Sequence, residues 1–244
     1  MTEKVLPYDR ANVVQETGWW CAPASIQTIL VSRGIRVAER DIARQTEELE
    51  GNRGWDDQDG TDYIGQGATV LNRYLPGAKY APVGMPNDPA YPEQRSALWS
   101  ELVKSINAGY GVLINIVAPP TNYPRGVKGS TSPAYDSGTV FHYIAAMGYD
   151  DVARAVWIAD SGFRPFGYWV SFEQLCTLIP PKGYAAATGA VVPELVSTIA
   201  DEELSKRFPS RSKYRASDAP VDTLAGFILN IDARMHERYT EARS

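Results

Sequence analysis

Three residue types in this sequence are those that catalyse acyl transfer through a thiol: cysteine, histidine and aspartate. The chain has two cysteines, Cys21 and Cys176, and two histidines, His142 and His236. A thiolate attacks a carbonyl carbon, an imidazole carries the proton, and a carboxylate orients the imidazole. With so few candidates, the surroundings of each residue decide which of them are placed for this chemistry.

Cys21 stands where a helix is predicted to begin. The segment "APASIQTILVSR" predicts a helix over residues 22–33, with Pro23 in the first turn and Gly34 beyond the end. The N-terminus of a helix favours a thiolate through its partial positive charge and its free N–H groups. Position alone leaves two interpretations of Cys21, a nucleophile or a buried structural thiol.

His142 and Asp160 lie on two apolar segments that predict neighbouring strands. "VFHYIAAMGYD" (140–150) follows a long Pro/Gly/Ser-rich loop at about 119–138, and "AVWIADSG" (155–162) comes after a short turn. An antiparallel pairing of the two places His142 near Asp160. An acid that ends an apolar strand is costly to bury without a partner. The alternatives are a core histidine and a turn-forming aspartate.

Gln15 and three tryptophans complete the candidate site. Gln15 lies six residues before Cys21, so its amide beside the Cys21 backbone N–H would give two donors for an oxyanion. Trp19, Trp20 and Trp55 are candidates for lining a substrate groove. An exposed loop glutamine and ordinary core aromatics are the alternative interpretations.

The other cysteine and histidine fit structural roles better. Cys176 falls in an amphipathic helix and no glutamine precedes it at a matching distance, whereas His236 is surrounded by charged residues in a C-terminal amphipathic segment. We therefore expect core packing for Cys176 and solvent exposure or packing for His236.

The composition indicates a globular protein and argues against some partners. The chain has 244 residues, 44% of them apolar and 22% charged, with a formal net charge of −5. An acidic chain of this kind argues against binding to nucleic acid or to an anionic membrane. We predict no signal peptide in "MTEKVLPYDR" and no apolar run long enough to span a membrane. The absence of CxxC pairs and His-rich clusters argues against a structural zinc site.

An acidic loop, "WDDQDGTD" (55–62), has some features of a calcium-binding loop. Trp55 stands where the first ligand would be, and the distal glutamate is missing. We therefore favour an acidic loop that caps a helix, and we predict neither a metal nor a cofactor.

The order of the predicted elements indicates an α+β fold. Helical patterns come first, and a run of strands follows. The predicted helices are 22–33, 37–50, 61–75 and 93–109. The predicted strands are 111–118, 140–150 and 155–162, then a short strand and helix over 167–179 and a last strand within 183–192. The proline-rich stretch 82–92 is predicted as a loop or extended connector.

The C-terminal part of the chain differs in pattern and predicts a separate extension. We expect a domain over residues 1–192 and a helical extension over 193–244. In that extension 193–208 and 221–243 are predicted helices, and 209–220 is a polar linker. The amphipathic stripe of 221–243 could dock on the main domain, pair with a second copy, or lead to a further domain.

The combination of these motifs resembles the papain-like cysteine peptidases, in their C39-like branch. The resemblance rests on "QETGWWCAPAS" (15–25), "HYIAAMGYD" (142–150) and "VWIADSG" (156–162), and it extends over roughly residues 8 to 192. Within the branch it is most similar to the peptidase modules that open many mycobacteriophage lysin A endolysins. Ala22 follows the cysteine where the family usually has glycine, which keeps the backbone N–H.

This resemblance implies a fold, a reaction and a set of roles. The fold would be papain-like, with N-terminal helices packed on an antiparallel sheet and an appended C-terminal helix. The resemblance implies Cys21 as nucleophile, His142 as general base and then acid, Asp160 as the orienting acid and Gln15 as the oxyanion donor. The substrate would be the stem peptides of bacterial peptidoglycan, and no cofactor would be needed.

The resemblance also predicts a location, and two other functions stay open. A phage lysin would be made in the host cytoplasm and would reach the cell wall after release by a holin, alone or with further lysin domains. The Cys–His–Asp set also serves transglutaminase-like acyltransferases. A non-catalytic wall-binding or virion structural module is the third possibility.

Overall fold

A computed structural model describes residues 3–51, 58–136, 138–189, 207–209 and 220–223 of the chain. The chain divides into two compact units, Met1–Ala190 and Val191–Ser244. All the predicted site residues fall within the first unit, and Trp55 alone among them lies outside the described residues.

Five α-helices are described in the first unit, and each begins or ends where the sequence provides a signal. Pro23 lies in the first turn of the first helix and Pro92 is the first residue of the fourth, where a missing N–H costs no hydrogen bond. Gly51 ends the second helix in the left-handed conformation. The helices are α1 (Cys21–Ser32), α2 (Glu39–Glu50), α3 (Ile64–Tyr74), α4 (Pro92–Asn107) and α5 (Phe172–Leu178).

A seven-stranded antiparallel sheet forms the rest of the unit. Its strands are β1 (Glu3–Val5), β2 (Tyr80–Gly84), β3 (Val112–Ala118), β4 (Val140–Asp150), β5 (Ala155–Ala159), β6 (Gly167–Ser171) and β7 (Gly183–Ala187). The strands are ordered β2-β7-β3-β4-β5-β6, and β1 pairs with the far end of β4. The inner strands β3 and β4 are buried along nearly their whole length, as expected for apolar strands covered on both faces.

Helix α1 packs on β4, and this contact brings the start of the helix to the start of the strand. The Ser25 hydroxyl donates to the Tyr143 carbonyl oxygen over 3.1 Å, while Ile26 and Ile29 are fully buried in the core. Because α1 begins at Cys21 and β4 carries His142 next to Tyr143, this packing sets the position of the thiol relative to the imidazole.

The predicted α+β class, the early helices and the hairpin of β4 and β5 are confirmed. Two strands were not predicted. Strand β1 is short and gains its partners from β4, which is distant in sequence. Strand β2 lies partly in the stretch predicted as a connector. It tolerates Pro82 because it is an edge strand and pairs on one side with β7.

In the second unit, two short strands pair in an antiparallel manner. Strands β8 (Arg207–Pro209) and β9 (Pro220–Thr223) replace the last residues of the helix predicted over 193–208 and the first residues of the helix predicted over 221–243. Pro209 gives a reason for β8, since proline disfavours helical backbone in the residue before it. The rest of both predicted helices lies outside the described residues, as does the amphipathic stripe with His236.

Within the described part of the chain, no helix combines the length and the apolar character needed to cross a bilayer.

Candidate active site

The start of α1 places Cys21 in a cleft. Trp20 is the N-terminal cap residue, and its carbonyl oxygen accepts from the Ala24 N–H over 2.9 Å. The first N–H groups of a helix have no acceptor within the helix, so those of Cys21 and Ala22 remain available for a negative charge. Cys21 is 9% exposed and lines a cleft of about 430 Å³. The thiol is therefore sheltered and still reachable.

His142 and Asp160 form a buried pair beside this thiol. The register of the hairpin sets Ala145 opposite Ala159, so Asp160 directly follows β5 on the strand next to His142. The His142 Nε2 and the Asp160 Oδ1 are 2.9 Å apart, and the two side chains are 4% and 0% exposed. The Cys21 side chain lies close enough to His142 to raise the pKa of the imidazole. Because Nε2 is paired with Asp160, Nδ1 is the ring nitrogen left to exchange a proton with the thiol.

The pKa of His142 is raised by its two neighbours. Burial acts against the charged imidazolium, but the charge and hydrogen bond of Asp160, and then those of Cys21, outweigh burial and raise the pKa of His142 from 6.5 to about 10. The pair therefore favours an imidazolium at neutral pH, which is the form that holds a thiolate and later donates a proton.

Asp160 is held by more donors than His142 alone. Its Oδ2 accepts from the hydroxyls of Tyr135 and Tyr168 over 2.9 and 3.0 Å. Its Oδ1 also accepts from the backbone N–H groups of Gly162 and Phe163 over 3.1 and 3.2 Å. The aspartate therefore bonds the imidazole and also forms the turn after β5, so a turn at Asp160 does not exclude its predicted role as the orienting acid.

Gln15 lies next to the pair through its contacts with Ser161. Its backbone N–H donates to the Ser161 carbonyl oxygen over 3.1 Å, and its Oε1 accepts from the Ser161 hydroxyl over 2.9 Å. Its Nε2 donates to the Thr17 carbonyl oxygen over 2.7 Å, and an amide nitrogen has a second hydrogen to give. Gln15 is not among the described residues that line the cleft, so its role as oxyanion donor stays a prediction.

The three tryptophans have different positions. Trp19 is half-buried and lines the cleft. Trp20 is 6% exposed and is not among the described lining residues, so we assign it packing at the helix start in place of the predicted substrate contact. Trp55 lies outside the described residues.

Comparison with known proteins gives the family. The model of the Peptidase_C39 like family matches residues 8–174, a range that contains Cys21, His142 and Asp160. The chain belongs to the C39-like cysteine peptidases. No curated protein matches the chain. Among solved structures it is similar to xylellain, a cysteine protease from Xylella fastidiosa, at 14% identity, over 77% of this chain and 90% of that chain, with a TM-score of 0.42.

Several residues of the C39-like site were not predicted from the sequence. Asn115 is 4% exposed and reaches the cleft from the inner strand β3. An amide within the apolar run "VLINIVA" was the available signal, because a buried polar group needs a partner. Tyr135 and Tyr168 gave no comparable signal, since Tyr135 lies in the predicted loop at about 119–138 and Tyr168 in a short predicted strand where aromatic residues are ordinary core material.

Gly162 was also missed, and its role is steric. A Cβ at this position would lie 3.0 Å from His142 Cε1 and 3.3 Å from Gln15 Oε1. The absence of a side chain therefore lets the turn after Asp160 pass against the imidazole.

Metal binding finds no support in the described part of the chain, where no three His, Cys, Asp or Glu side chains are grouped to hold an ion. Of the acidic loop 55–62, Asp59 and Asp62 line the cleft, and Trp55, Asp56 and Asp57 lie outside the described residues.

Proposed function

We propose that this C39-like peptidase is an endolysin-type enzyme that hydrolyses peptide bonds of bacterial peptidoglycan through Cys21, His142 and Asp160. The observation that carries the catalytic part is the buried His142–Asp160 pair, 2.9 Å apart, beside a thiol at the start of a helix and at the wall of a cleft. The similarity of residues 15–25 to phage lysin modules supports the substrate and the action on the wall after holin-mediated release.

The reaction follows from the geometry in two steps. The Cys21 thiolate attacks the peptide carbonyl carbon and forms a C–S bond, while the helix-start N–H groups stabilise the oxyanion. The imidazolium of His142 gives its proton to the leaving amine as the C–N bond breaks. Water then loses a proton to His142 and attacks the thioester. The C–S bond breaks, and a carboxylic acid and the Cys21 thiolate are released.

The test is digestion of purified peptidoglycan with wild type, Cys21→Ala and the matched control Cys176→Ala. We expect new amino termini from wild type and Cys176→Ala, and none above background from Cys21→Ala. Equal release by wild type and Cys21→Ala, or no release by any of them, would contradict the proposal. Mass spectrometry of the fragments identifies the bond.

An amine acceptor in the same digest separates hydrolysis from transfer. A hydrolase gives fragments that end in a new carboxylate, whereas an acyltransferase of the transglutaminase type gives fragments heavier by the amine. A dominant amine adduct would move this chain to the second class without changing the roles of Cys21 and His142.

A further inference from the structure

The cleft at Cys21 continues into a second hollow of about 330 Å³. Three residues line both spaces: Asp62, Asn115 and Lys182. They therefore mark the passage between the part of the cleft that holds the thiol and the part beyond it. A peptide bound at Cys21 and extended in this direction must pass these three side chains.

Lys182 is fixed at its backbone and lines the cleft, with its ammonium near Phe141, which lines the cleft too. Its N–H donates to the Ile179 carbonyl oxygen and its carbonyl oxygen accepts from the Met85 N–H, each over 2.7 Å. Its Nζ lies 5.5 Å from the centre of the Phe141 ring, and Phe141 is 65% exposed. The positive charge therefore stands above an open aromatic face one residue from His142.

Within the described part of the chain, no carboxylate forms an ion pair with Lys182. The four ion pairs found there involve Arg95, Lys128 twice and His142. The contact with Phe141 uses the attraction between a cation and an aromatic face and leaves the three N–H donors of the ammonium for an acceptor. An ammonium in a cleft that has no carboxylate partner among the described residues can bind an anion.

The same cleft is also lined by two acidic residues. Asp59 and Asp62 lie in the segment that precedes α3. The Asp62 N–H donates to the Glu50 carboxylate over 3.2 Å, which fixes this segment to α2. Burial, followed by the charges of Asp62 and Asp59, raises the pKa of Glu50 to about 7. These two negative charges repel a substrate carboxylate, and Lys182 is the only lysine or arginine among the described lining residues of either space, so it is the residue that attracts one.

We propose that Lys182 determines substrate specificity by binding a free carboxylate of the peptide next to the bond that Cys21 attacks. The substrate class is a peptide with a carboxylate outside its main-chain amides, as in a γ-linked glutamate or a diamino-dicarboxylic acid. This inference rests on the proposed peptidase function and names the feature of the stem peptide that the cleft selects.

The experiment uses the full chain and stem peptides of the sequence L-Ala–γ-D-Glu–meso-diaminopimelate–D-Ala–D-Ala. One peptide keeps all its carboxylates, and in the others each free carboxylate is amidated in turn. The enzymes are wild type, Lys182→Met, Lys182→Arg and the matched control Lys104→Met, whose lysine lies on α4 away from the cleft.

We expect one amidation to raise the KM of the wild type at least about tenfold with little change in kcat, in line with a hydrogen bond to a charged group. Lys182→Met should lose the same factor on the unmodified peptide and should no longer distinguish the two forms. Lys182→Arg should keep the preference, and Lys104→Met should behave as wild type.

Two results would overturn the inference in different ways. Equal hydrolysis of all peptides by the wild type, or an unchanged preference in Lys182→Met, removes the role of Lys182 and leaves the peptidase intact. No hydrolysis of any peptide by the wild type removes the proposed function, and the inference falls with it.

Discussion

The surroundings of Cys21 and of Cys176 differ in the partner of each thiol more than in burial. Cys21 is 9% exposed and Cys176 is 2% exposed, and each has a basic neighbour. The neighbour of Cys21 is His142, and that of Cys176 is Arg95, whose guanidinium is paired with Glu173. Burial raises the pKa of Cys176 to about 11 despite Arg95, which keeps this thiol protonated at neutral pH.

The difference teaches what a nucleophilic thiol needs beyond a nearby positive charge. A guanidinium attracts a thiolate but does not exchange protons near neutral pH, whereas an imidazole accepts and returns a proton. Cys21 also lines a cleft at the start of α1, and Cys176 lies inside α5. A proton carrier, a helix start and access occur together at Cys21, and this combination marks the reactive thiol.

Asp160→Asn should have the largest effect, because it leaves His142 without the charge that orients it and supports the imidazolium. We expect kcat/KM on a stem peptide to fall about 10,000-fold, as when the aspartate of a Ser-His-Asp triad is replaced by asparagine. Steady-state kinetics checks this, with thermal unfolding to confirm the fold. A loss below about fivefold would contradict the role of Asp160 in supporting the His142 imidazolium. The partner of Cys21 would then give no more catalytic advantage than Arg95 gives to Cys176.

The pH dependence of stability and of kcat/KM tests the comparison, because the pKa of His142 is shifted upward. The folded-state pKa of about 10 lies above the ordinary value of 6.5. The charged imidazolium therefore stabilises the fold fully below pH 6.5, and this stabilisation is lost as the pH rises toward 10. We expect kcat/KM to decline only as the pH passes about 10, because the folded enzyme loses its proton donor there.

An amidated peptide should be used for this profile, so that the contact between Lys182 and the substrate carboxylate does not contribute. Asp160→Asn should move the alkaline decline to lower pH by at least about one unit, because the attraction of Asp160 is what raises the pKa. The profile of Cys176→Ala should match that of the wild type. An alkaline limit near the ordinary histidine value in the wild type would contradict the assigned pair.

Tyr168→Phe should have the smallest effect, because Tyr135 still donates to the same oxygen of Asp160. Loss of one such hydrogen bond corresponds to about 1 kcal/mol, so we expect kcat to fall about fivefold with little change in KM. Tyr149→Phe is the matched control, since its buried hydroxyl bonds Asn107. Equal effects of the two substitutions on kcat would make Tyr168 a structural residue only.

The sequence predicted the elements whose signals are local and missed the features that depend on tertiary contacts. Helix α1 has a start signal in Pro23 and a stop signal in Gly34. The hairpin that carries His142 and Asp160 follows from two apolar runs on either side of a short turn. Strand β1 is too short to give a pattern, and the pairing of β2 with β7 overrides the signal of its proline.

The same distinction applies to the site. Cys21 and His142 could be named because the chain has only two cysteines and two histidines. Asp160 could be named because it ends the apolar strand predicted next to His142, and the order of the three fits one chemistry. Lys182 and Tyr168 could not be, because nothing local distinguishes them from other lysines and tyrosines. The fold gives them their roles, by turning one into the cleft and burying the other against Asp160.

Alkylation of the two thiols tests the central claim most directly. The folded protein is treated with iodoacetamide at pH 7, and labelling of Cys21 and Cys176 is followed over time by peptide mass spectrometry, in wild type and in His142→Ala. We predict that Cys21 reacts at least about 100-fold faster than Cys176 in the wild type, and that most of this excess is lost in His142→Ala. Equal rates, faster labelling of Cys176, or an excess at Cys21 that does not depend on His142 would contradict the assignment of Cys21 as the nucleophile.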